Sequence, residues 1–62
     1  MTTATWPLRL RALRKAMGLT QAQMARALGY TQASHVAALE GGTRPFTPML
    51  ERLIEALERI EA

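Results

Sequence analysis

Hydrophobic residues recur at intervals of three and four along most of the chain, which places them on one face of an α-helix. Glycine and proline interrupt this pattern and divide it into four segments. We therefore predict a single domain over residues 1–62 with four helices, at approximately 7–17, 20–28, 31–40 and 47–61. Residues 1–5 are mostly small and polar and are expected to form a flexible arm.

Several residues predict where individual helices begin and end. Thr20 and Gln23 have the spacing of a capping box, in which the hydroxyl accepts from a backbone N–H and the glutamine reaches back to the cap. Gly29 supplies the left-handed residue that ends this second helix. Thr31 is expected to cap the third helix and Thr47 the fourth.

The last predicted helix carries more apolar residues than a small core needs. Leu50, Leu53 and Ile54 are expected to complete the core. Leu57 and Ile60 continue the stripe, and contiguous exposed apolar surface usually marks a contact. These two residues are therefore candidates for a homodimer contact. The alternative is that they fold back on the first helix in a compact monomer.

Charge is distributed unevenly along the chain. Five of the 8 basic residues precede the first acidic residue, Glu40, whereas the segment from Glu40 onward has 3 arginines and 5 glutamates. A basic front half indicates a surface that binds a polyanion, and an acidic tail indicates a solvated or interacting surface. The same arginines would also serve simply to solvate helix surfaces, and charge alone does not decide between the two interpretations.

The composition argues against an enzyme and against a metal site. The chain has no cysteine, and its single histidine, His35, lies in no catalytic or metal-binding pattern. The glycines form no phosphate-binding motif, so we expect no cofactor. No apolar run approaches the roughly 20 residues of a membrane span, and we expect a cytoplasmic protein.

The second and third predicted helices, joined by a turn at Gly29, have the arrangement of a helix-turn-helix. In that motif the N-terminal residues of the second helix of the pair reach base edges in the major groove of DNA. With Val36 and Leu39 facing inward, small and polar side chains face outward, and Gln32 is able to pair with adenine. The candidate base-reading residues are Gln32, Ser34, Ala38, Thr31, His35 and Ala33. Any short alanine-rich helix would look similar, but the capping box and the charge distribution favour this interpretation.

The segment Arg14–Gly42 resembles the phage repressor and Cro-like (Xre-like) helix-turn-helix family. In that family an L-T-Q-x-x-[ML]-A-x-x-L-G run opens the second helix and an I/L-E-x-G run closes the third. The corresponding segments here are Leu19–Gly29 and Leu39–Gly42. The similarity extends less specifically over Leu8–Leu57. It implies an all-α, compact, lambda-repressor-like DNA-binding domain with four helices, or with the fifth that is common in the family.

The resemblance also implies a role for particular residues. It implies a homodimer that binds a two-fold symmetric operator in double-stranded DNA and represses transcription. Arg14 and Glu40 resemble a structural ion pair between the first and third helices, and both lie on inward faces where an unpaired charge is costly. Gln21 resembles the glutamine that fixes the second helix on a phosphate. The candidate phosphate contacts are Gln21, Lys15, Thr43, Arg44, Arg11 and Arg26.

The chain departs from the family in one respect. The segment Gly29–Glu40 is one residue longer than in many members, so the turn or the start of the third helix must absorb an extra residue. The roles of residues 32–35 therefore shift by one position between the two arrangements.

A different class of function remains open beside DNA binding. The broad apolar face and the acidic charge of the last helix also suit a protein-interaction module, such as an antitoxin that holds a protein partner through this helix. The basic front half and residues 32–38 favour DNA binding, and the two functions are compatible.

Overall fold

A computed structural model describes residues 5–61, which form four α-helices. These are α1 (Trp6–Ala16), α2 (Gln21–Ala27), α3 (Ala33–Glu40) and α4 (Pro48–Glu61). Helix α1 packs against both α3 and α4, and α2 packs against α3. No strand occurs within residues 5–61, so the predicted all-α class with four helices is confirmed. Most of the arm predicted at residues 1–5 lies outside the described residues.

Both ends of α2 follow from local sequence. The Thr20 hydroxyl accepts from the Gln23 backbone N–H at 3.1 Å, and the Gln23 side-chain oxygen accepts from the Thr20 N–H at 2.9 Å. This is the predicted capping box. Gly29 ends the helix with φ +87°, a conformation that strains other residues. The Tyr30 N–H then donates to the Ala25 carbonyl at 2.8 Å, which closes a Schellman motif.

The prediction that Thr31 caps α3 is wrong. The helix begins at Ala33, and the capping position is Gln32, whose side chain makes no capping hydrogen bond. Because Tyr30 is still held by the end of α2, the chain needs Thr31 and an extended Gln32 before it can enter the next helix. The turn therefore extends through Gln32, and α3 is shorter than predicted.

The core is built from one buried stripe on each helix. Trp6 and Phe46 lie against it at one edge, with ring centroids 6.3 Å apart and an interplanar angle of 27°. Fully burying a large apolar side chain contributes about 1.5–3 kcal/mol, so the fully buried residues of the four helices supply most of the stabilisation. The buried residues are Leu10, Leu13, Met24, Ala25, Val36, Leu39, Leu50 and Ile54.

Helix α4 starts as predicted and buries Leu50 and Ile54 as predicted, but one of the three expected core residues differs. The Thr47 hydroxyl accepts from the Leu50 N–H at 3.1 Å, which caps the helix. Leu53, expected in the core, is 37% exposed, and Leu57 packs against the core instead. Ile60 remains 75% exposed. Among residues 5–61, no helix is long and apolar enough to cross a bilayer.

Candidate nucleic-acid interface

The candidate base-reading residues converge at the N-terminal end of α3. A shallow polar recess is lined by five of them and by Arg44, which reaches it from the loop after α3. The sixth candidate, Ala33, is half-buried and does not line the recess. The lining residues are Thr31, Gln32, Ser34, His35, Ala38 and Arg44.

Within the recess, Gln32 and Ser34 are joined by a hydrogen bond. The Ser34 hydroxyl donates to the side-chain oxygen of Gln32 at 3.2 Å, and both residues are exposed. This bond leaves both amide hydrogens of Gln32 and the second lone pair of its oxygen free. The Gln32 amide therefore keeps the donor and acceptor that a bidentate pair with adenine requires.

The imidazole of His35 lies flat against the ring of Tyr30. The ring centroids are 3.7 Å apart and the ring planes differ by 13°. Both residues are half-buried, and Tyr30 also packs against the core. Sequence analysis did not single out Tyr30, although an aromatic residue directly after the helix-ending Gly29 was a visible signal. Consequently His35 enters the recess as a held side chain rather than a freely rotating one.

A polar network joins α1, α2 and α3 beside this surface. Arg14 Nε donates to Glu40 Oε2 at 2.7 Å and Nη2 donates to Oε1 at 3.2 Å. Arg14 Nη1 donates to the Leu19 carbonyl at 3.1 Å, and Gln21 Nε2 donates to Glu40 Oε1 at 3.3 Å. The hydrogen bond with Glu40 raises the pKa of Arg14, so the guanidinium stays charged. The network fixes Gln21 at the start of α2 with one amide hydrogen free.

The candidate phosphate contacts divide into one group around α3 and a second group that lies apart from it. Arg11 and Gln21 line a second recess that also includes Ala37 of α3, whereas Arg44 lines the first recess. The Thr43 hydroxyl donates to the Ala38 carbonyl at 3.2 Å and thereby fixes the loop after α3.

Lys15 and Arg26 form the second group. They are exposed in the last turns of α1 and α2, and they line neither recess. The structure therefore gathers Arg11, Gln21 and Arg44 around α3 and leaves these two side chains apart from them.

Arg9 belongs to the basic front half of the sequence but faces α4. Its Nη2 and Nε atoms donate to the two carboxylate oxygens of Glu58 at 2.6 and 3.2 Å, and its guanidinium lies 4.0 Å from the Trp6 ring centroid. The hydrogen bond from Arg9 lowers the pKa of the Glu58 carboxyl. Among residues 5–61, no group of carboxylates and histidine is placed to hold a metal ion.

The two short helices α2 and α3, with a polar recess at the start of α3 and arginines beside it, define a DNA-binding domain of the helix-turn-helix class. A family model described as a helix-turn-helix domain matches residues 8–61, and the chain belongs to that family. The predicted helix-turn-helix family is thereby confirmed. No curated protein and no solved structure matches the chain.

Proposed function

We propose that the protein is a sequence-specific transcriptional regulator, a repressor that binds a palindromic operator as a homodimer. The observation that carries this proposal is the recess at the N-terminal end of α3, where Gln32, Ser34 and His35 meet Arg44. A helix in the major groove presents this end to base edges. Ala38 is small enough to let the helix approach closely, and its methyl group is able to contact a thymine methyl.

Polar groups on both sides of α3 support the same orientation on DNA. The recess of Arg11 and Gln21 includes Ala37, and the recess of Arg44 includes the next residue, Ala38. A helix inserted in the major groove has a phosphate backbone on each side, and contacts to both fix its register. Arg11 and Gln21 are therefore assigned to one backbone and Arg44 to the other.

The proposed dimer rests on an apolar stripe of α4. Met49 and Ile60 are 82% and 75% exposed, and Leu53 is 37% exposed. With the exposed Ala56, they recur at steps of four, three and four residues, the spacing at which two helices interlock. A two-fold contact through this stripe would relate two α3 helices that read half-sites about 34 Å apart. The expected contact is thus Met49–Leu53–Ala56–Ile60, the α4 stripe, and Leu57 is left out because it packs on its own core.

The same stripe favours a second candidate function. An exposed apolar helix face also suits a protein-interaction module of the antitoxin type, in which a partner protein covers the stripe. This function would make DNA binding secondary. It predicts a chain that stays monomeric until the partner is added.

Selection of bound sequences from a random pool of double-stranded DNA tests the proposal with the full chain. We expect enrichment of a palindrome whose half-sites are about one helical turn apart. A doubly substituted control, Gln32→Ala with Ser34→Ala, should lose this enrichment. Enrichment of a single half-site would contradict the homodimer, and no enrichment at all would contradict the regulator and favour the interaction module.

A further inference from the structure

Tyr30 is anchored more firmly than an ordinary turn residue. Its backbone N–H donates to Ala25, and its ring packs against the core. The ring also borders an apolar groove with Leu28, Leu50 and Leu53 at the start of α4. One face of the ring is therefore left to carry His35, at a centroid distance of 3.7 Å.

The contact with Tyr30 restricts the rotation of the His35 side chain before DNA binds. An imidazole on the outside of a helix has two side-chain torsions, and fixing them on binding costs affinity. Stacking against an anchored ring removes that freedom before DNA arrives. The interplanar angle of 13° also sets the plane in which the imidazole N–H lies.

We propose that Tyr30 is a positioning residue that holds the His35 imidazole so that it donates a hydrogen bond to N7 of a purine in the operator. This inference rests on the proposed DNA-binding function. A neutral imidazole has one N–H donor and one acceptor nitrogen, and N7 is an acceptor on the major-groove edge of both purines. His35 lines the recess beside Gln32 and Ser34, so the contact falls within the same half-site.

The course of the turn between α2 and α3 brings the rings of Tyr30 and His35 together. Because Thr31 and Gln32 lie between the end of α2 and Ala33, the side chains at positions 30 and 35 meet face to face across the turn. The course of this turn therefore holds the imidazole beside Tyr30 near the start of α3.

Replacement of single purines by 7-deazapurines in the selected operator tests the inference. The substitution exchanges N7 for a C–H group and removes the acceptor without altering base pairing. In the wild-type protein the purine paired with His35 should lose about three- to tenfold in affinity, the fold-change of one hydrogen bond, in addition to any loss at an adenine paired with Gln32. His35→Ala should bind the normal and deaza operators equally at that position.

The Tyr30 variants then separate positioning from packing. Tyr30→Phe keeps the stacking face and should keep the deaza penalty, whereas Tyr30→Leu keeps apolar bulk and should lose most of it. Adding Tyr30→Leu to His35→Ala should change nothing further at this position. Melting temperatures confirm that each variant is folded. Equal weakening of all sequences by Tyr30→Leu would show a structural role and overturn the proposal.

A measurement on the wild-type protein keeps the test independent of how the variants fold. The ring protons of His35 should show the upfield nuclear magnetic resonance shift of a proton above an aromatic ring, and should keep it when operator DNA is added. Loss of that shift on binding would mean that the stack opens, and would overturn the proposal. Failure of the wild type to select any sequence would instead defeat the DNA-binding function itself, and this inference with it.

Discussion

Arg14 on α1 and Glu40 at the end of α3 are joined by two hydrogen bonds, of 2.7 and 3.2 Å. The two side chains are only 14% and 7% exposed, so both charges are largely removed from water. Each charge is tolerable because the other is present. The pair therefore ties α3, the proposed recognition helix, to the body of the domain.

Glu40→Ala should destabilise the fold by about 3 kcal/mol, the lower end of the range for breaking a buried ion pair. The loss arises because the partly buried Arg14 guanidinium would be left without its partner. Arg14→Lys should cost less, since the charge remains but the second hydrogen bond is lost. Urea unfolding measures both, with the exposed Glu55→Ala as the matched control. Equal stability of Glu40→Ala and Glu55→Ala would contradict this account.

Sequence predicted most reliably those features that depend on neighbouring residues. The capping box of Thr20 and Gln23 and the helix end at Gly29 are set by hydrogen bonds within a few residues, and both are present. The start of α3 was mispredicted because it depends on how Tyr30 closes the preceding turn. A threonine at position 31 carries no information about that closure.

Tertiary packing accounts for the remaining differences. Leu53 and Leu57 have the same chemistry and both fall on the apolar side of α4. Which one packs against the core depends on how α4 lies against α1. Periodicity does not give that rotation. The contact of Tyr30 with His35 likewise requires the three-dimensional course of the turn.

The pair of Arg9 and Glu58 should contribute to the pH dependence of stability. The hydrogen bond from Arg9 holds the pKa of Glu58 below its ordinary value of 4.5, with desolvation opposing the shift and charge attraction adding to it. A carboxyl whose pKa is lowered by folding stabilises the fold at pH values above its pKa in the unfolded state. This stabilisation is lost as the pH falls through the pKa of the folded state. The stability of Glu58→Gln should therefore decrease less steeply than that of the wild type as the pH falls below about 4.5.

Arg9→Gln provides the control for that measurement, because it removes the cause of the shift and leaves the carboxyl in place. Acid unfolding followed by circular dichroism should give the same shallower profile for Arg9→Gln, Glu58→Gln and the double variant. A steeper acid limb in Glu58→Gln than in the wild type would contradict the assignment.

Gln32 and Arg44 should affect DNA binding in different ways. Gln32→Ala should cost about 1–3 kcal/mol on the selected operator and relax the preference at one base pair. Arg44→Ala should weaken binding to all sequences alike and reduce the salt dependence by about one counterion. Titrations of operator and random DNA at several salt concentrations separate the two. Equal losses on operator and random DNA for Gln32→Ala would remove it from the base-reading set.

The residues on the two faces of α4 should respond differently when each is replaced by glutamate. Leu57 packs against the core, so Leu57→Glu should lower stability by about 1–3 kcal/mol through the cost of an unpaired polar group. Ile60 is 75% exposed, and Ile60→Glu should instead dissociate the dimer with little change in the stability of each subunit. Leu8 is 58% exposed on α1, outside the α4 stripe, so Leu8→Glu is a matched control that should leave the dimer intact. Sedimentation of the free proteins at micromolar concentration, together with urea unfolding, distinguishes these outcomes. A wild-type monomer, or an Ile60→Glu protein that dimerises as well as Leu8→Glu, would show that the α4 stripe is not the contact between subunits.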